Sequence, residues 1–229
     1  AQLGWIERQL ELYGAVLIEP WMKRVVDISA VWSPESDAVS SFVFYTNAKG
    51  QYKGHCLQTM NYALLPQHRS FFFDSRRHGK APYEAFIEVA GMVRKKLQDL
   101  GYRYAAGIDA MLYEFDGKLH LKILGEVNCR MTMGHVARGL RKRIAPAQPS
   151  LWQSVSVLEA QERGWPTLQD MAKDLTAKHP PEVKRGMIED GIFFTNDPNQ
   201  SQYVVGLVAV GLAAMEACEG LGALGKSTD

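Results

Sequence analysis

Three absences narrow the field before any motif is read. Cysteine is scarce: Cys56, Cys129 and Cys218 are 3 residues in 229. They are odd in number and far apart, which excludes a disulfide framework and a metal knuckle and points to a reducing, cytoplasmic setting. Excess charge of either sign is missing, with 26 Lys and Arg against 25 Asp and Glu. A formal charge of +1 leaves no global field to gather nucleic acid or an anionic membrane, so neither is expected as a partner. No run reaches the roughly 18 apolar residues of a membrane span. The longest candidate, YVVGLVAVGLAAMEACEGLG, is broken by Gly206 and Gly211 and gains Glu216 and Glu219, so it reads as a buried helix. The opening AQLGWIERQLELYG has no Met and no charged-then-apolar signal pattern. It reads as a helix already under way, and the chain is expected to be part of a longer protein.

What is present is the composition of an ordinary globular protein, 46% hydrophobic and 22% charged, without repeats or low-complexity tracts. Residues 4–13 show helical spacing, with Trp5, Ile6, Leu10 and Tyr13 before Gly14. AVLIEPW follows as a short buried strand stopped by Pro20. VVDISAVWS, SSFVFYTNAKGQYKGHCLQTMNYALL and RSFFFD suggest strands joined by turns, TNAKGQ being the clearest. PYEAFIEVAGMVRKKLQDLG is amphipathic, its apolar Phe86, Val89, Val93, Leu97 and Leu100 recurring at three- and four-residue steps. GIDAMLYEF and KLHLKILGEVN flank Asp116-Gly117, a hairpin signal, and HVARGLRKRIA predicts a short helix. Beyond PAQPS the composition changes to Trp152, Trp165, KHPPE, an apolar GIFFT strand and a small-residue helix. The order of elements predicts an α+β fold, with a main unit over 1–145 and a small α/β appendage over 146–229.

The hairpin carries the chemistry. A two-residue loop at Asp116-Gly117 makes opposite residues sum to 233, so Ala110 faces Ile123 and Asp109 faces Leu124. Side chains alternate between faces. One face then holds Ile108, Ala110, Leu112, Leu119, Leu121, Ile123 and Val127. The other holds Asp109, Met111, Tyr113, His120, Lys122, Leu124, Glu126 and Asn128. Asp109 becomes a diagonal neighbour of Glu126, and Asn128 lies two residues further along the same face. Two carboxylates and an amide oxygen are a hard-oxygen set suited to Mg²⁺, which keeps waters and binds substrate phosphates.

GIDAMLYEFDGKLHLKILGEVNCRMTMGHVA together with AVLIEPWMKRVVDIS resembles the ATP-grasp superfamily over about residues 5–145. These are mostly ligases that join a carboxylate to an amine through an acyl phosphate. Their second half ends in Glu-x-Asn-x-Arg, here Glu126-Val127-Asn128-Cys129-Arg130. The tail MTMGHVA looks closest to bacterial members. The resemblance implies an ATP-grasp antiparallel sheet with packed helices, ATP and Mg²⁺ as cofactors, and a small carboxylate and an amine as substrates. Asp109, Glu126 and Asn128 would hold the metal. Arg130 would bind the transferring phosphate or the acyl phosphate. Glu19, Pro20, Trp21 and Met22 would form the hinge under adenine, with Pro20 supplying only a carbonyl. Asp27 falls near a ribose-binding acid of the family, at a spacing one residue longer. The phosphate-contacting lysines and Gly-rich loop of the family's first half are not in this sequence, so a missing N-terminal half of the same protein is an expected partner. Without it, weak ATP binding and poor turnover are expected, and a non-catalytic nucleotide-binding or interaction module is the rival reading. The sequence leaves a homodimer open.

Other signals are weaker. GLGALGKS, from Gly220 to Ser227, fits the P-loop string but lacks the preceding strand and following helix that its mechanism needs. DSRRHGKAP collects Arg76, Arg77, His78 and Lys80 in one loop, a candidate carboxylate or phosphate contact against a default of a solvated loop. Lys53 and Lys122 are candidate phosphate contacts, Lys122 lying on the hairpin's polar face. His135 either orients the site or caps the following helix. The cations of RGLRKRI suit a helix C-terminus. Cys129 has no base partner in the sequence, which argues against a nucleophilic role.

Overall fold

The computed structural model describes residues 2–36, 38–47, 50–77 and 79–218. The P-loop string with Lys226, together with His78, lies outside the described residues. Among those described, nine strands form one antiparallel sheet and eight α-helices pack on it, an α+β fold. The strands are β1 (Lys23–Trp32), β2 (Ser40–Thr46), β3 (Tyr52–Cys56), β4 (Ala106–Phe115), β5 (Lys118–Asn128), β6 (Ser150–Ser156), β7 (Glu182–Lys184), β8 (Met187–Phe194) and β9 (Val204–Val210). Their order across the sheet is β5-β4-β1-β2-β3-β6-β9-β8-β7. The segment after residue 145 therefore extends the sheet of the first unit, joined at β3–β6 through Gly54, His55 and Cys56.

The two faces of the sheet are treated differently. On one, Ile28, Ala30, Val43, Ile108, Ala110 and Leu112 pack beneath α2 (Met60–Ala63), α3 (Pro66–Phe73) and α4 (Pro82–Asp99). Phe72 and Phe86 are fully buried there, each contributing about 1.5–3 kcal/mol by burial. The same face continues over β6 and β9 beneath α6 (Val157–Glu162), α7 (Leu168–Lys178) and α8 (Leu212–Cys218). The opposite face carries α5 (Met133–Arg141), whose Ala137 and Leu140 meet Val31, Phe42, Leu57 and Trp152. Gly134 lets this helix start close to the sheet, since a Cβ there would lie 2.8 Å from Val31 Cγ1. Next to α5 the face is open, and that opening is the cleft described below.

Several sequence expectations hold. α1 spans Gln2–Tyr13 and ends at Gly14, with φ of 73°. The β4–β5 turn has two residues, Asp116 and Gly117 at φ 49° and 67°, between paired Phe115 and Lys118. Positive φ at both positions is the turn that matches the right-handed strand twist.

Others are corrected. RSFFFD is the end of helix α3, opened by Pro66 at its first position; one aromatic, Phe72, is buried against the core. AVLIEPW is not a buried strand. Residues 15–21 pair with none of the nine strands, and Leu17 and Ile18 are 84% and 82% exposed. The apolar C-terminal segment is not one helix: its β-branched Val204, Val205, Val208 and Val210 form β9 between β6 and β8. Gly211, at φ 90°, then turns the chain into α8. Val127 faces solvent at 41% exposure, because β5 is the sheet edge and the helical cover reaches only to Leu119, Leu121 and Ile123.

The β3–β6 seam depends on a residue without a Cβ. A carbon added at Gly54 would overlap the Trp152 carbonyl oxygen and lie 2.8 Å from Gln153 Cα. Gly54→Ala is expected to cost about 1–3 kcal/mol through overpacking, read as a lower midpoint in thermal or urea unfolding. Gly139→Ala on α5, where nothing lies within 4 Å, is expected to leave stability unchanged or improve it.

Candidate functional site

The open part of the α5 face is a cleft of ≈ 420 Å³. Directly paired residues share a face, so its floor can be read in rows across the strands. One row is Lys122, Met111, Asp27, Phe44 and His55, from β5, β4, β1, β2 and β3. The next is Glu126, Asp109, Ser29 and Phe42. Asn128, Arg130 and the first turn of α5 at residues 132–134 complete the lining.

Three strand irregularities build this floor. In β4–β5 the pairing follows the 233 sum from Phe115↔Lys118 to Met111↔Lys122, then jumps to Asp109↔Glu126. The expected pairs Ala110–Ile123 and Asp109–Leu124 are replaced, because β5 carries two extra residues here. Gly125 permits it, since even a Cβ at this position would come within 3.2 Å of the Asp109 carbonyl oxygen. An even shift preserves the faces, so Glu126 stays beside Asp109 and moves from diagonal to directly opposite. In β1 a bulge between Arg24 and Val26 takes up one residue and sets Arg24 on the face of Asp27. In β2–β3 the shift between Tyr45 and Thr46 sets Tyr52 on the face of His55. Bulges of this kind re-aim side chains beside functional sites.

The electrostatics follow from burial. Asn128 Nδ2 donates to Asp109 Oδ2 at 2.8 Å, which leaves the amide oxygen as a free acceptor. Asp109 is pushed up to about 6, first by burial and then by the Glu126 charge, against the lowering effect of the Asn128 bond. Asp27 is also raised by burial, opposed by Arg24 and Thr46. The Thr46 hydroxyl donates to Asp27 Oδ2 at 2.9 Å, and Arg24 Nε lies 3.4 Å from Oδ1. The Arg24 guanidinium rests over the Trp21 ring, 5.9 Å from its centroid.

The structure brings Asp109, Glu126, Asn128, Lys122, Arg130 and Asp27 together in the cleft. Lys122 pairs with Glu19, tying the hinge segment to β5. Trp21 is exposed and Pro20 lies in the same extended run, with Met22 partly covered. His135 caps α5. The Thr132 backbone N–H donates to its Nδ1 at 3.1 Å, so Nε2 carries the proton given to the Trp32 carbonyl at 2.9 Å. Lys53 is corrected as a phosphate contact, because it pairs with Glu159 on α6. Arg76 and Lys80 pair with Asp74 and Glu88, on the helical side of the sheet. Arg138 and Arg141 end α5 as read, with Arg141 over the Phe42 ring.

The sequence reading did not single out Arg24, Ser29, Thr46, Phe44, Tyr52 and His55, all in the cleft lining. One signal was visible: Asp27 and Ser29 alternate with apolar residues in VVDISAVW, the pattern that marked β5. Among the described residues no three His, Cys, Asp or Glu side chains gather as a metal cluster. The oxygen set is two carboxylates and one amide.

The chain matches no protein-family model, and no curated protein is significantly similar to it. No helix among the described residues is long and apolar enough to cross a membrane.

Ionised Asp109 is a cost to the fold. A carboxyl whose pKa rises on folding contributes stability below its unfolded value of 3.8 and loses it as pH climbs through about 6. Asp109→Asn is therefore expected to match the parent below pH ~4 and to exceed it by up to about 3 kcal/mol above pH ~7. Urea unfolding across that range checks it.

Proposed function

We propose that this protein is an ATP-grasp enzyme, an ATP- and Mg²⁺-dependent ligase that activates a carboxylate for attack by an amine. The observation that carries the reading is the direct opposition of Asp109 and Glu126 on the cleft floor with Asn128 beside them. Two neighbouring acids, one of them largely buried and raised by the other's charge, fit a divalent cation that would relieve their repulsion. Asp109, Glu126 and the Asn128 amide oxygen are the groups that would hold Mg²⁺. When bound, it supplies neutralisation of the ATP phosphate oxygens.

In this reading a substrate carboxylate oxygen attacks the γ-phosphorus of ATP, giving an acyl phosphate and ADP. An amine nitrogen then attacks the acyl carbon, losing a proton, and phosphate leaves. Arg130 on the cleft rim offers a fixed guanidinium to the transferring phosphate. The amides opening α5 add the positive end of a helix dipole to the same side. Lys122, held by Glu19, and the Trp21 ring define the nucleotide's other end, with the Glu19–Met22 run as hinge and Asp27 near the ribose. The apolar surface of α1 and of residues 15–21, with Trp5, Leu12, Leu17 and Ile18 exposed, suits a further polypeptide segment that would bring more cations to the phosphates.

The test is calorimetry of ATP binding with and without Mg²⁺, followed by ADP and phosphate release against pools of short acids and amines. Mg²⁺-dependent binding is expected. Glu126→Gln is expected to weaken it by at least the roughly 10- to 100-fold that loss of even an outer-shell partner costs a metal site, and to abolish turnover. Binding that is indifferent to Mg²⁺ and to Glu126 would remove the reading; Mg²⁺-dependent binding with no release would leave a nucleotide-binding module.

A further inference from the structure

The cleft has two chemically distinct ends. At the β4–β5 end stand Asp109, Glu126, Asn128, Lys122 and Arg130. At the β2–β3 end stand Phe44, Tyr52 and His55, with the Arg24–Asp27–Thr46 group between, its charges already paired, and with Ser29 of β1 directly opposite Asp109. Asp109 and His55 are separated by three strand spacings, β4 to β1 to β2 to β3, or about 14 Å.

The far end carries a buried polar atom that the protein does not satisfy. His55 is 2% exposed and lines the cleft. Its Nδ1 is engaged with the Tyr52 hydroxyl at 2.6 Å, while Nε2 has no hydrogen-bond partner among the described residues. Buried polar groups are nearly always paired, and an unpaired one costs about 1–3 kcal/mol. Rings surround the imidazole: Phe44 and Tyr52 have centroids at 5.8 and 5.2 Å, and Trp152 stacks behind it at 6.4 Å.

Charge is kept out of this corner. Burial pushes His55 down to about 3, so the imidazole is neutral at physiological pH and is no proton acceptor for catalysis. Burial likewise raises the Tyr52 phenol, which stays protonated. The nearest cation, Arg24, bonds Thr46 opposite Tyr52 but is paired with Asp27, so neither an unpaired cation for a carboxylate nor an unpaired anion for an ammonium is offered here.

We propose that the β2–β3 end of the cleft is a recognition pocket for the uncharged end of an elongated substrate, an amide-bearing aromatic or heterocyclic group. Its hydrogen bond falls to His55 Nε2, and its flat body to the Phe44 and Tyr52 rings. Assigning that group to the ligase's carboxylate or amine substrate rests on the ATP-grasp reading; the pocket itself does not. A planar amide both donates and accepts, so it can satisfy either imidazole tautomer. A carboxylate would be desolvated there without a cation.

The probes are benzamide, benzoate and benzylamine, followed by NMR of the His55 ring in the unmodified protein. Benzamide is expected to shift the His55 ring resonances saturably, whereas benzoate and benzylamine leave them in place. His55→Phe, checked for an intact fold by circular dichroism, is expected to weaken benzamide roughly 5- to 10-fold in calorimetry, the worth of one neutral hydrogen bond. Glu126→Gln is expected to retain full benzamide binding while losing Mg²⁺-dependent nucleotide binding, which separates this pocket from the metal site. A His55 ring that no benzamide concentration moves, or one that answers equally to benzoate, overturns the proposal. So does undiminished benzamide binding in folded His55→Phe.

Discussion

Two carboxylates facing each other across one pair of strands organise this molecule. Asp109 and Glu126 meet on the cleft floor, where burial and then the Glu126 charge raise the cost of ionising Asp109. Such an arrangement lowers the stability of the chain on its own, and nothing in the packing of the core asks for it. The carboxylates remain affordable because the bulk of the apolar contacts lie on the opposite face, beneath α2–α4 and α6–α8. That division of labour frees part of the α5 face to hold groups that a well-packed sheet would exclude.

The way the floor is assembled is equally consistent. Bulges in β1, β3 and β5 occur around the same cleft, and each adds a polar side chain beside one already there: Arg24 beside Asp27, Tyr52 beside His55, Glu126 opposite Asp109. A perfectly regular sheet of this sequence would put Arg24 and Tyr52 on the opposite face from Asp27 and His55, and would leave Glu126 diagonal to Asp109 instead of directly opposite it.

Much of this was legible before the structure, and the reasons are local. The Asp116-Gly117 turn and the two-residue alternation on either side assign Asp109, Glu126 and Asn128 to one face whatever the fine register. The 3.6-residue spacing of Phe86 through Leu97 marks α4 in the same way. What stayed hidden was non-local. The jump from Lys122 to Glu126 depends on how closely Gly125 approaches the Asp109 carbonyl, a contact between strands. Ser29, Thr46 and His55 come singly from three strands, so no spacing within one segment announces their meeting. The Val-rich β9 was mistaken for helix because a short apolar run fits either period, and only its place between β6 and β8 decides. Leu17 and Ile18 look like core by composition, but their segment joins no strand of the sheet and both are exposed.

The account stands or falls on the Asp109–Glu126 pair being a cation site. ¹³C NMR of the Asp109 side-chain carboxyl, titrated with pH in the absence and presence of saturating Mg²⁺, measures this directly. Without the ion the carboxyl is expected to titrate near the elevated value of about 6. With Mg²⁺ it is expected to fall below the ordinary Asp value of about 3.9, because a bound dication favours the charged form. A titration curve that Mg²⁺ does not move would contradict the account.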